Sequence, residues 1–270
     1  MPLAEPSVIA SASALDPPVF KELPVRRAGR KFGAAFVFRD DMGQPLLSHI
    51  LGLGPQGQLR SRDVYRKIGQ TPSLDLSPHG PRPRMCHALT DLGPGGLLLT
   101  GGRTSPAGGL QDAFLFRKET NEWVKTHHLP APVYRHSAVR LGDSCLTLLV
   151  GGKTGAAQLF DRILLRHPGR GWVECQVSSA FRPTPVFGAV LICTGRGGDQ
   201  NNTEPGRVVF CGVLCGGMVG DGRITDQVVR WQLDVTDLLV CSVPCRSRWG
   251  DANRVASILS SGSIPSREPI

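Results

Sequence analysis

The chain has 270 residues, of which 40% are hydrophobic and only 6% aromatic, with a formal net charge of +9. That length and apolar content suffice for one or two globular domains with a substantial core, and no run of 18 apolar residues exists to cross a membrane as a helix. Glycine (33) and proline (22) make up about a fifth of the chain, punctuation that suits short strands and turns better than long helices.

Arginine outnumbers lysine 25 to 6. Its planar fork of donors suits phosphate or carboxylate recognition, and a plain solvating basic surface is the alternative reading. The opening MPLAEPSVIASASALD lacks a basic start followed by an apolar run, so no secretory signal is expected. The eight cysteines therefore read as reduced thiols, in the cytoplasm or alternatively the nucleus, rather than as a disulfide framework.

Taken in order, residues 1–24 are rich in Ala, Ser and Pro and read as a disordered linker. Residues 25–243 then carry a recurring element. A weak copy, Leu51-Gly52-Leu53-Gly54, is followed by Asp63, Val64-Tyr65 and Leu74. The second copy runs Leu99-Thr100-Gly101-Gly102, Asp112, Ala113–Phe116 and Trp123. The third runs Leu149-Val150-Gly151-Gly152, Asp161, Ile163–Leu165 and Trp172. The fourth runs Leu214-Cys215-Gly216-Gly217, Asp226 and Val228-Val229, leading to Trp231. It has a long first loop from Gly195 to Arg207 and no tryptophan near Asp237. The four aspartates stand 49, 49 and 65 residues apart. Residues 244–270 read as a disordered polar tail.

A period near 50 with short apolar runs predicts a repeated small sheet. The run before the glycines is continuous rather than alternating, as for a strand buried on both faces. Glycine then lets the chain leave a crowded sheet where a Cβ would not fit. Aspartate is expected to close the next loop on backbone amides, and tryptophan to fill space between sheets. No Gly-Lys-Ser/Thr follows the glycines, so a phosphate-cradling loop is not expected.

The pattern resembles the kelch repeat, which implies an all-β, kelch-type β-propeller. It would be partial, with about four blades, two of them well formed. The second blade would use 84–90, 96–102, 112–117 and 123–126, and the third 134–140, 145–151, 161–166 and 172–177. Such an open stack leaves apolar faces and edges uncovered.

The loops after the glycines would emerge at one end of the stack with Arg60, Arg62, Arg103, Lys153 and Arg223 against Asp221. The opposite end would carry Lys67, Arg117, Lys118, Arg166 and Arg170 against Glu119, Glu122 and Asp237. The first end is the more uniformly basic and is the candidate binding surface for RNA phosphates or an acidic protein.

Other motifs read as structure. Cys211 with Cys215, and Cys241 with Cys245, have spacings that zinc sometimes uses, but the apolar neighbours of the first pair favour core thiols. His87 and His136 recur with the repeat, and His127-His128 reads as a surface loop. No catalytic, cofactor-binding or metal-ligating residue is assigned.

The stretches ELPVRRAGRKFGAAFVF, HGPRPRMCHAL, LLLTGGRTSPAGGLQDAFLFRKETNEWVK and LLRHPGRGWVECQV resemble the C-terminal kelch region of the tRNA wybutosine-synthesizing protein 4 (leucine carboxyl methyltransferase 2) family. The resemblance covers roughly residues 5–177. It implies a parent joining an S-adenosylmethionine-dependent methyltransferase to a propeller, active in hypermodification of phenylalanine tRNA. Residues 1–80 do not contain the strand, glycine-rich turn, helix and acidic residue of such a catalytic domain in order. The chain therefore reads as a recognition or scaffolding module beside a missing methyltransferase domain, with tRNA or an acidic protein as partner and no cofactor of its own. The alternative is a free-standing protein-binding adaptor.

Overall fold

The computed structural model describes residues 31–39, 45–65, 73–75, 80–106, 108–177, 183–197, 207–240 and 257–259. The first sheet is a meander of β1 (Ala34–Arg39), β2 (Pro45–Ile50), β3 (Arg62–Tyr65) and β4 (Ser73–Asp75). The second joins β5 (Ala88–Asp91), β6 (Leu97–Thr100), β7 (Ala113–Arg117) and β8 (Glu122–Lys125). The third joins β9 (Ser137–Arg140), β10 (Thr147–Val150), β11 (Ile163–His167) and β12 (Gly171–Glu174). Each is antiparallel and paired in chain order, as the repeat predicts.

The fourth sheet is built differently. Strands β14 (Val190–Gly197), β15 (Val209–Cys215) and β16 (Val228–Asp234) are longer, and the register shifts between Cys193 and Gly195. Its fourth strand is β17 (Ser257–Leu259), where Ile258 pairs with Leu233 and Leu259 with Gln232. The short β13 (Gln176–Val177) adds to β17 in parallel. Of residues 244–270, read from sequence as a disordered polar tail, Ser257–Leu259 are described, and they cover an edge of β16. The rest of that tail, the whole 1–24 linker and Lys67 lie outside the described residues.

The glycine pairs turn out to serve the contact between sheets. The second glycine of each pair donates its N–H to the chain entering the next sheet: Gly52 to Arg84 O (2.7 Å), Gly102 to Val133 O (2.9 Å) and Gly152 to Val186 O (2.8 Å). The first glycine lies so close to that entering chain that a Cβ at Gly101 would collide with Val133 O, and one at Gly151 with Val186 O. Both also have positive φ, near 56° and 68°, where L residues are strained. In the first sheet the equivalent pair is Leu51-Gly52, with φ of 57° and 95°; the sequence alignment on Gly52-Leu53-Gly54 is out of register. Leu51 accepts the strain because its side chain is buried with Ile50 against Leu97 and Phe114.

A second set of hydrogen bonds runs along the inner strand entries. Cys86 N–H donates to Phe32 O (2.9 Å), Arg135 N–H to Cys86 O (2.8 Å) and Gly188 N–H to Arg135 O (2.8 Å). Four sheets are thus laced in series around one axis. Among the described residues, no backbone hydrogen bond joins the fourth sheet to the first.

Apolar side chains fill the spaces between sheets. Phe116 meets Phe36 of the first sheet edge-on at 5.8 Å and Trp123 of its own sheet at 5.1 Å. Leu148 and Leu165 pack with Phe210, Leu233 and Trp231 across the third and fourth sheets. Each such buried side chain stabilises the fold by about 1.5–3 kcal/mol. Polar anchors sit at the same junctions: Arg84 is wholly buried, forks onto both carboxylate oxygens of Asp112, and donates to Gly101 O at 2.9 Å. Asp112 was expected to close its loop on backbone amides; it takes a guanidinium instead.

Candidate functional site

An antiparallel meander puts the loop between its second and third strands at the same end as the entry to its first strand. That end collects the groups the sequence singled out. Arg103 and Lys153 hold equivalent positions just after the glycine pairs, bridged to Met85 and Tyr134 respectively. Each cation lies over an aromatic ring of the next sheet's entry: Arg103 over Tyr134 at 4.9 Å, Lys153 over Phe187 at 4.9 Å. Such contacts contribute about 0.5–2 kcal/mol, depending on desolvation.

Arg135 joins them. It occupies the position of Cys86 in the preceding sheet, with φ near 55°, and its guanidinium stands over Phe32 (5.5 Å) and Phe187 (5.6 Å). The sequence reading missed it. The recurrence of His87 and His136 sets the register, and in that register an arginine replaces a cysteine.

The remaining candidates are dispersed. Arg60 is half-buried in the first-sheet loop, its N–H on Gly52 O at 2.9 Å. Arg62 opens β3, and its side chain lies outside the described residues. Arg223 is tied to Asp221 at 2.6 Å within its own turn, and hydrogen bonds from the Arg223 backbone and side chain hold that carboxyl below its ordinary range.

The two ends differ in part, since Arg117 and Arg170 at the opposite end are exposed and carry no ion pair among the described residues. At the opposite end Lys118 meets Asp91 at 2.9 Å, and Arg140 lies 3.9 Å from Asp143. Arg166, counted there as a surface charge, is buried and reaches Thr126 Oγ1 at 3.3 Å. Arg103, Arg135 and Lys153 have no carboxylate partner among the described residues. Three uncompensated cations thus stand together around the axis.

Of the three, Arg135 borders a cavity of about 520 Å³ whose walls come from all four sheets: Phe32, Cys86, His87, Phe187 and Met218 among them. Two imidazoles, half-buried His87 and buried His136, also line it. Burial, helped by the Arg84 guanidinium, pushes His87 down to about 3; burial, helped by His87, does the same to His136. Both are neutral at physiological pH. His136 Nε2 pairs with Thr100 Oγ1 at 2.8 Å, while its Nδ1 and both His87 nitrogens are sealed without a partner.

The other motifs are structural. His127 and His128 are exposed, and the His127 carbonyl accepts the Trp172 indole N–H at 3.1 Å. Cys211 and Cys215 are half-buried on β15, while Cys241 and Cys245 lie outside the described residues. No described helix is long and apolar enough to cross a membrane.

A family model described as tRNA wybutosine-synthesizing protein 4, beta-propeller, matches residues 81–247. The chain is 41% identical over 207 residues to tRNA wybutosine-synthesizing protein 4 of Gibberella zeae, covering 77% of this chain and 20% of that protein. It is 35% identical over 261 residues to the protein of the same name from Neurospora crassa, covering 86% of this chain and 21% of that one. The Aspergillus fumigatus protein is 36% identical over 214 residues, covering 77% and 18%. The chain spans about a fifth of the length of these curated relatives. Repeated meanders laced through paired glycines are what a propeller sequence must encode, and with the match running over more than half its length the chain belongs to the tRNA wybutosine-synthesizing protein 4 beta-propeller family.

Proposed function

We propose that the chain is an RNA-recognition module that helps hold a tRNA during wybutosine synthesis, using the end that carries Arg103, Arg135 and Lys153. The observation that carries this reading is that three cations without carboxylate partners stand on the aromatic rings of successive sheet entries; at the opposite end Lys118 is paired and Arg166 buried, while Arg117 and Arg170 are exposed. Phosphate contacts from such cations position a nucleic acid without reading its sequence. By the same reading, the modification chemistry, including S-adenosylmethionine-dependent methyl transfer, belongs to other parts of the longer protein. The module itself takes no cofactor and works in the cytoplasm.

Filter binding of tRNA across a salt series tests this. The expected result is salt-dependent binding whose log–log slope falls by about one for each phosphate-contacting cation removed from Arg103, Arg135 and Lys153. A triple alanine variant that folds normally yet keeps the parent slope overturns it.

A second reading has its own support. On the outward face of the fourth sheet Val190 (58% exposed), Ile192 (43%) and Val228 (44%) are uncovered, a surface suited to an adaptor that binds protein. Binding lost on Ile192→Asp but kept in the triple alanine variant favours that reading over RNA.

A further inference from the structure

The cavity at the axis is more than a gap between sheets. Four sheet entries converge there, and its walls are chiefly apolar, with few polar groups, as in small-molecule sites. A guanidinium borders it with no hydrogen bond or ion pair among the described residues, held instead by two phenyl faces. Elsewhere in the molecule Arg84, Arg140, Arg162, Arg207 and Arg223 all face carboxylates. A partly buried, uncompensated arginine beside a cavity is a ready fork for an anion.

Two further observations bear on an occupant. Ile224 stands at the cavity edge 81% exposed, next to Met218 and Phe187. At Gly188, part of the same lining, a Cβ would meet nothing within 4 Å, so the site has room there.

We propose that this cavity binds one nucleotide, with its phosphate on the Arg135 guanidinium and its base against the apolar wall of Phe187, Met218 and Ile224. The choice of a nucleotide over another anionic ring compound rests on the RNA-recognition reading above. Lys153, its ammonium 4.9 Å from the Phe187 ring centroid, adds positive potential.

The test is a titration of the full chain followed through the methyl signals of Met218 and Ile224 by nuclear magnetic resonance. The probes are adenosine 5′-monophosphate, adenosine and inorganic phosphate. The nucleotide is expected to bind at least tenfold more tightly than either fragment and to shift both methyls. Arg135→Met is expected to weaken it at least tenfold. Ile224→Glu, at an exposed position that leaves the fold intact, is expected to do the same by placing a carboxylate at the mouth. Nucleotide binding no tighter than phosphate, or unchanged in both variants, overturns the site. Loss of nucleotide binding in a chain that still binds tRNA through Arg103 and Lys153 overturns the cavity and spares the RNA reading. Nucleotide binding without tRNA binding does the reverse.

Discussion

The second and fourth sheets carry the same glycine pair, yet the pair bears a different mechanical load in each. In the second sheet the chain entering the third passes over Gly101, and Gly102 donates to it. Strand β6 before it is buried at every residue. In the fourth sheet a Cβ on Gly216 would meet only Thr225 O, at 3.4 Å, and β15 alternates between buried and half-buried positions. The difference teaches that the motif encodes docking between successive sheets. Where no described sheet follows, the first glycine and the two-sided apolar strand lose their steric reason, while Gly217 keeps its own beside Ala189 and Phe187 O.

The comparison breaks most sharply at Arg84. Arg84→Ala strands the Asp112 carboxylate and removes the bond to Gly101 O, so stability should fall by about 3–5 kcal/mol in urea denaturation. Asp226, which aligns with Asp112 in the fourth sheet, is exposed and without a hydrogen bond or ion pair among the described residues. Asp226→Ala should change stability by less than about 0.5 kcal/mol. Equal losses in Arg84→Ala and Asp226→Ala would mean that the repeat, not the junction, sets the cost.

A smaller contrast is expected at the glycines. Gly151→Ala combines positive φ with collision against Val186 O and should cost about 3 kcal/mol, whereas Gly216→Ala meets positive φ alone and should cost about 1 kcal/mol. Thermal unfolding of the two variants side by side gives the ranking. If Gly216→Ala proved the more damaging, a further surface must cover the fourth sheet.

The last contrast is in pH dependence, confined to the middle sheets. His87 and His136 fall to about 3 in the folded chain, mainly by burial, against about 6.5 when unfolded. Between those values the unfolded chain binds protons that the folded one does not. Stability is therefore full above about pH 6.5 and falls toward pH 3, by about 1 kcal/mol per pH unit for each imidazole. Gly33 and Ala189 hold the equivalent positions in the first and fourth sheets and contribute nothing. Urea midpoints between pH 7 and 5 should slope less steeply in a His87→Gln, His136→Gln double variant; an unchanged slope removes the two imidazoles as its source.

The middle sheets were legible because their residues obey local rules. A continuous apolar run, paired glycines and a spaced tryptophan appear on β6–β8 and β10–β12 where the repeat placed them. The first sheet was read out of register because leucine at positive φ violates local preference, and only the burial of Leu51 makes it tolerable. Strand β17 was invisible because three residues separated from β16 by over twenty positions carry no periodicity. At the candidate site, Arg103 and Lys153 followed from position alone. Arg135, the pairing of Arg223 with Asp221 and the burial of Arg166 did not, since each depends on which side chain another sheet brings near.

What the sequence determined by itself is the unit: a short sheet repeated, with glycines where the chain must turn without a Cβ. Period and composition suffice for that, because strand and turn preferences act over a few residues. Only the tertiary structure decided which charges are spent inside the fold and which stand free. Arg84 and Arg135 are close neighbours of the same histidine repeat, yet one is locked onto Asp112 and the other faces a cavity. Electrostatic pairing acts through space between sheets, and one repeat read alone does not contain its neighbour.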